Sequence, residues 1–268
     1  MNEYRSHLSV TTWIVLASLT FGLLLTIPER TFSISVFGSP IDFRFSAAFL
    51  AGVAALAATW AGLEAALRTH PKKDLLQHTY RFWGLPTAIV LTSAVLLPEI
   101  TAEGVWLITL ALTGVALAAS MAGEYHTIDP NAPEYGNARL LLNGLAYAVA
   151  AVAFILIYLS RSRSLVSATL IGVSAGLLAM DLLRGSRARM RLVFLYSALI
   201  ALMLAQLTVI LNYWPFASVR VALVLLLGFY LLAGLAQQML RGEFNRRRVI
   251  EYLIIAAMTV TVIFLFPG

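Results

Sequence analysis

Six side chains set the chemical possibilities of this chain: Glu64, Glu124, His126, Arg139, Asn143 and Asp181. Glu124, His126 and Asp129 lie close together and offer oxygen and nitrogen donors, the ligand types that suit a divalent cation. The same stretch, Glu124 to Arg139, holds Asp129-Pro130 and Pro133, which are ordinary turn formers. A solvated loop, a partner contact and a metal site are therefore competing readings of it, and no metal ligand is assigned. Glu64, Glu124 and Asp181 share a second property. Each falls near the carboxyl end of an apolar helix, where the helix dipole disfavours negative charge by about 0.3–1 kcal/mol when exposed. Compensation is expected from Arg68, four residues after Glu64, and from Arg184, three after Asp181. Glu124 has no such neighbour in sequence, and Arg139 is its expected partner. The six residues together define a candidate polar pocket at the cytoplasmic mouth of a helical bundle, with three independent ion pairs as the plainer alternative.

Other chemistries fail on their own requirements. Gly172-Val173-Ser174-Ala175-Gly176 matches a nucleophile-elbow pattern, but that motif needs a strand-to-helix turn and here it lies inside an apolar run. His7, His70, His78 and His126 all fall in loops or at span ends, so no mid-membrane pair for a haem arises. Only Lys72 and Lys73 of the 19 basic residues are lysines, and neither lies in a span, which excludes a retinal Schiff base. There are no cysteines, hence no disulfides and no thiolate metal site. No charged residue falls at mid-span, where proton-coupled carriers usually need one. No catalytic residue and no cofactor is predicted.

The elements that must position these residues follow from composition. The apolar fraction is 60% and the charged fraction 12%, against roughly 25% charged in an average soluble domain. So much apolar surface needs a lipid solvent. A bilayer core of about 30 Å takes ~20 apolar helical residues per crossing, and the runs here are continuously apolar rather than alternating, which favours helices over barrel strands. The expected fold is all-α: a single transmembrane domain over 1–268 with nine spans at 8–27, 44–67, 82–98, 104–123, 140–160, 165–183, 191–212, 216–240 and 249–266. The first span is too long for a signal-peptide core and lacks a clean cleavage site. The fifth and sixth are joined only by Arg161-Ser162-Arg163-Ser164, which implies a tight hairpin.

Basic residues alternate between the gaps. One side holds Arg5; Arg68, Lys72, Lys73 and Arg81; Arg139; Arg184, Arg187, Arg189 and Arg191; and Arg241, Arg246, Arg247 and Arg248. The other holds Arg30, Arg44, Arg161, Arg163 and Arg220. Retention of positive charge on the cytoplasmic side places the amino terminus inside and the carboxyl terminus outside, in a bacterial inner membrane. The clusters at 184–191 and 241–248 suit anionic lipid headgroups, with no need for nucleic acid. A protein partner or a homo-oligomer is a further possibility. Small residues at Ala47, Ala51, Ala55, Ala58 and Gly62, at Gly114, Ala118 and Ala122, and at Gly172 and Gly176 allow close helix approach. They place the second, fourth and sixth spans centrally. Asn143, Gln206, Gln237 and Gln238 are expected to bond between helices or near span ends. Between the first two spans, Thr31–Phe37 and Ile41–Phe45 alternate apolar and polar around Gly38-Ser39-Pro40, which reads as an external β-hairpin.

That hairpin, with Arg68-Thr69-His70-Pro71, Glu124-Tyr125, Asp129-Pro130 and Tyr213-Trp214-Pro215, resembles a family of uncharacterised bacterial multi-spanning membrane proteins. The likeness extends over nearly the whole chain and implies no catalytic residue. The expected function is that of a non-enzymatic inner-membrane protein, either an accessory or scaffold subunit or a binder of a lipid-like molecule. The alternatives are a transporter or flippase-like carrier and an interfacial lipid-modifying enzyme.

Overall fold

The computed structural model describes residues 2–25, 30–36, 39–76, 78–160, 164–186, 188–213, 218–242, 250–252, 254, 257–258 and 261. Residues 161–163 of the expected hairpin turn, the 246–248 cluster, Trp214-Pro215 and most of the ninth expected span lie outside the described residues. The chain divides into two compact units, Met1–Ala138 and Arg139–Gly268, each described by itself.

The first unit opens with α1 (Asn2–Leu24). Strands β1 (Arg30–Val36) and β2 (Ser39–Phe45) then pair antiparallel, with Phe32 opposite Phe43 and Ile34 opposite Ile41. Ser39 and Pro40 belong to β2 rather than to the Gly-Ser-Pro turn read from sequence. Helix α2 (Ala47–Arg68) starts at an N-cap where the Ser46 hydroxyl accepts from the Phe49 amide at 3.2 Å. It packs against α1. The small face of α2 permits this: a Cβ on Gly62 would collide with the Thr11 side chain.

Helix α3 is Gly84–Leu96, extended by a 3-10 turn over Leu97–Glu99. It is too short for a full crossing, which needs ~20 residues, so the expected third span is corrected to a short buried helix. Pro86 sits in its first turn, where a missing N–H costs nothing. Ser93 of α3 bonds to Thr113 of α4 at 2.9 Å in a buried position. Helix α4 (Glu103–His126) carries Glu124 and His126 as its last turn rather than as loop.

The second unit begins inside α5 (Tyr135–Leu159) and continues with α6 (Ser164–Arg184), α7 (Met190–Asn212) and α8 (Ser218–Arg241). Gly172 and Gly176 bring α6 onto α7: a Cβ on Gly172 would lie 3.2 Å from the Ala201 carbonyl oxygen. A chain of rings fills the interior between α5 and α8. Phe154 meets Phe229 edge-on at 6.0 Å, Tyr147 packs between Phe229 and Tyr230 at 5.8 Å from each, and Tyr230 reaches Tyr252 at 5.6 Å. Six helices among the described residues are long and apolar enough to cross a membrane: α2, α4, α5, α6, α7 and α8. This is the count that stands against the nine expected.

Candidate functional site

In the first unit the chemistry gathers below the ends of α2 and α4. The ring of Tyr125 stacks on Tyr4 at 4.3 Å and nearly parallel. His70 meets Tyr125 edge-on at 4.7 Å, and His126 meets Tyr4 the same way at 6.1 Å. The backbone amide of Lys72 donates to His70 Nδ1 at 3.0 Å, which makes that nitrogen the acceptor of the ring. Lys72 Nζ then reaches across 57 residues to Asp129 Oδ2 at 2.5 Å, while Asp129 Oδ1 accepts from the Asn131 amide at 3.1 Å. Those bonds, the Lys72 ammonium first, hold the Asp129 carboxyl below its ordinary range. Burial pushes the His70 imidazole down, the Asp129 charge opposes that, and His126 and Lys72 add to it. The loop expected to be solvated is instead half interior, with Thr127, Ile128 and Asp129 buried.

Glu124, His126 and Asp129 do not converge on a cation. Glu124 is fully buried, with Oε2 at 3.5 Å from the Thr127 hydroxyl. Thr127 donates more closely to the Glu124 carbonyl oxygen, at 2.9 Å. Among the described residues no three His, Asp or Glu side chains form a metal-sized group. Glu64 bonds Arg68 one turn on, as the spacing predicts.

In the second unit the structure brings Arg139, Asn143 and Asp181 into one network. Arg139 Nη2 donates to the carbonyl oxygens of Asp181 at 2.8 Å and Leu182 at 3.3 Å, and to Asn143 Oδ1 at 3.5 Å. Its Nη1 lies 3.6 Å from Asp181 Oδ1, which also accepts from Arg184 Nη2 at 3.0 Å. The guanidinium thus caps the final carbonyls of α6 and neutralises a carboxylate that the helix dipole opposes. Room for it exists because residue 185 is glycine: a Cβ there would lie 2.8 Å from Nη2. Of the six sequence candidates, these three come together, while Glu64, Glu124 and His126 belong to the first unit.

The Leu182 carbonyl also accepts from Gln237 Nε2 of α8 at 3.2 Å. Beside that bond opens a pocket of about 260 Å³ lined by Tyr230, Gly234, Gln237, Gln238, Arg241, Glu251 and Tyr252. Gln238 is 6% exposed, and its Oε1 has no hydrogen-bond partner among the described residues. The Tyr252 ring leans on the Gly234 backbone, where a Cβ would approach it to 2.8 Å. Sequence reasoning read Gln237 and Gln238 only as interhelical glue. Their signal was an amide pair one turn before Arg241, with Glu251-Tyr252 opening the next apolar run.

Fold and site together define a helical protein of membrane-spanning composition with polar networks at its helix ends. The chain belongs to the family described as a protein of unknown function (DUF5656), which matches it over residues 27–266. None of the curated proteins and none of the solved structures compared with it match.

Proposed function

We propose that this chain is a non-enzymatic, multi-pass protein of a bacterial inner membrane, with its amino terminus cytoplasmic, that binds a lipid-like molecule. The observation that carries the reading is a polar pocket of about 260 Å³ at the end of α8, lined by Tyr230, Gln237, Gln238, Arg241 and Tyr252. The ion pairs of Arg139, Asp181 and Arg184 serve the fold, since both guanidiniums meet Asp181 Oδ1 and Arg139 caps the end of α6.

Native mass spectrometry of the full chain, extracted in mild detergent, tests the reading. One retained lipid per chain is expected, and Gln238→Leu is expected to lose it. A chain free of lipid, or one carrying a stoichiometric protein partner in its place, overturns lipid binding and favours the accessory-subunit alternative.

A further inference from the structure

We infer that His70 is the proton sensor of a latch in the first unit: taking up a proton breaks its bond to the 70–72 turn and releases the 127–131 loop from Lys72. The device does not rest on lipid binding. The bond in question runs from the Lys72 amide to His70 Nδ1 at 3.0 Å. A neutral imidazole has one nitrogen that accepts and one that carries a proton. Nδ1 accepts here, so Nε2 carries the proton and Nδ1 is where a second proton must go. Once it is there, two N–H groups face each other and the bond is lost. Pro71 lies between the two residues and fixes its own φ. The link from ring to Lys72 is therefore stiff, and the loss is felt at Lys72.

Lys72 in turn holds the loop. Its Nζ reaches Asp129 Oδ2 at 2.5 Å, and Asp129 Oδ1 accepts from the Asn131 amide at 3.1 Å. The surroundings of the ring decide what its charge does. Burial opposes that charge most, Asp129 attracts it, and His126 and Lys72 repel it. Asp129 is already held by Lys72. On α4, Tyr125 meets the ring edge-on at 4.7 Å. Behind Tyr125 is Tyr4 of α1, whose hydroxyl accepts from Arg5 Nε at 3.3 Å. On α2, Arg68 is paired with Glu64. The charged ring therefore leaves its place beside Tyr125 for water, and the 70–72 turn goes with it. The Lys72 side chain, 56% exposed, returns to water at little cost. The Asp129 side chain, 12% exposed, keeps a desolvation cost until the loop lifts to wet it. Burial and the two cations hold the ring below its ordinary 6.5, so the latch is shut at neutral pH and opens in mild acid.

The chain has no cysteine, so Asn131→Cys, at an exposed position whose backbone amide is kept, carries a single nitroxide. Electron paramagnetic resonance of the full chain in detergent reads its mobility from about pH 8 to about pH 5, either side of the histidine range. An immobile label is expected at the upper end and a growing mobile component below 6.5. The mobile-to-immobile ratio is expected to rise about fivefold, the worth of one exposed ion pair. His70→Asn keeps an acceptor oxygen on Cγ, where histidine carries Nδ1, and that oxygen takes no proton in this range. It is expected to keep the label immobile throughout. Lys72→Met is expected to leave the label mobile throughout, and an immobile label there overturns Lys72 as the fastening. His126→Gln removes a charge that opposes the imidazolium, so the transition should move to higher pH. Its disappearance in that variant assigns the sensor to His126 and overturns His70. A transition that persists in His70→Asn, or a label unchanged across the range when His70 is present, overturns the latch.

Discussion

Asp181 and Asp129 are the same side chain in opposite circumstances. Asp181 closes α6 in the second unit with its side chain 1% exposed, facing two guanidiniums that are themselves about nine-tenths buried. Asp129 sits in a loop of the first unit, paired with one ammonium on a lysine whose side chain is 56% exposed. Both form close ion pairs, yet their consequences for the fold differ in size. A buried charge that loses its partner keeps its desolvation cost, whereas an exposed ammonium returns to water. The contrast therefore separates a site that holds the structure from one that only fastens a loop.

The largest test of that contrast is removal of Asp181. Asp181→Ala leaves Arg139 and Arg184 facing each other without their shared carboxylate, and about 3–5 kcal/mol of stability is expected to go. Unfolding of the purified chain by increasing denaturing detergent measures it. A loss below about 1 kcal/mol would erase the distinction between the two aspartates. Replacing the network by apolar residues of similar volume, Arg139→Met with Asp181→Leu and Arg184→Met, should recover much of the loss, because such swaps remove the desolvation penalty along with the attraction.

A smaller effect is expected from Gly185→Ala. The added methyl would meet the Arg139 guanidinium at 2.8–3.1 Å, and displacing it costs about 1–3 kcal/mol, the range for overpacking. The decisive readout is non-additivity. In the Asp181→Ala background the guanidinium has already lost its anchor, so the second substitution should cost less than it does alone. Full additivity would show that Gly185 acts through something other than Arg139.

These networks were unequally legible in the sequence. Glu64 with Arg68 and Asp181 with Arg184 follow from helical spacing, and the six long apolar helices follow from run length and composition. Arg139 was expected as the partner of Glu124, whereas its bonds to the Asp181 and Leu182 carbonyls depend on how α5 meets α6. No spacing rule fixes that. Lys72 and Asp129 are 57 residues apart, and the turn formers around Asp129 made a solvated loop the natural reading. The run 82–98 was apolar enough to pass as a span, yet α3 yields to a 3-10 turn at Leu97-Pro98-Glu99. The pocket escaped because an unsatisfied Gln238 oxygen is a property of packing, and a glutamine near a helix end looks the same whether satisfied or not.

At the first unit's end of the scale, Asp129→Asn, which leaves only the exposed Lys72 ammonium to return to water, is expected to cost far less than Asp181→Ala. The loss should shrink further in high salt, since an exposed pair is screened within about 10 Å at 0.1 M ionic strength. Thermal unfolding of wild type and variant at two salt concentrations checks this. A loss comparable with that of Asp181→Ala would mean that the 127–131 loop anchors the whole unit.

The finest probe of the exposed region is its histidine. His70 titrates below its ordinary value of 6.5 because burial outweighs the attraction of Asp129. The unfolded chain therefore binds a proton there that the folded chain refuses, so stability rises with pH across the window between the two values. Above 6.5 the imidazole is neutral in both states and its contribution to stability is fully present. As pH falls from 6.5 through the lower folded value, that contribution is lost. Asp129 remains ionised through this window, because Lys72 and the Asn131 amide hold its own carboxyl below the ordinary 3.8. Asp129→Asn then removes the charge that raises His70, and the His70 midpoint should move further down. Carbon NMR of labelled histidine, assigned by difference from a His70→Gln chain, reads the midpoint directly. An upward shift in Asp129→Asn would show that Lys72, rather than burial, controls the ring, and would place the loop's electrostatics closer to the coupled network at Asp181 than to an exposed pair.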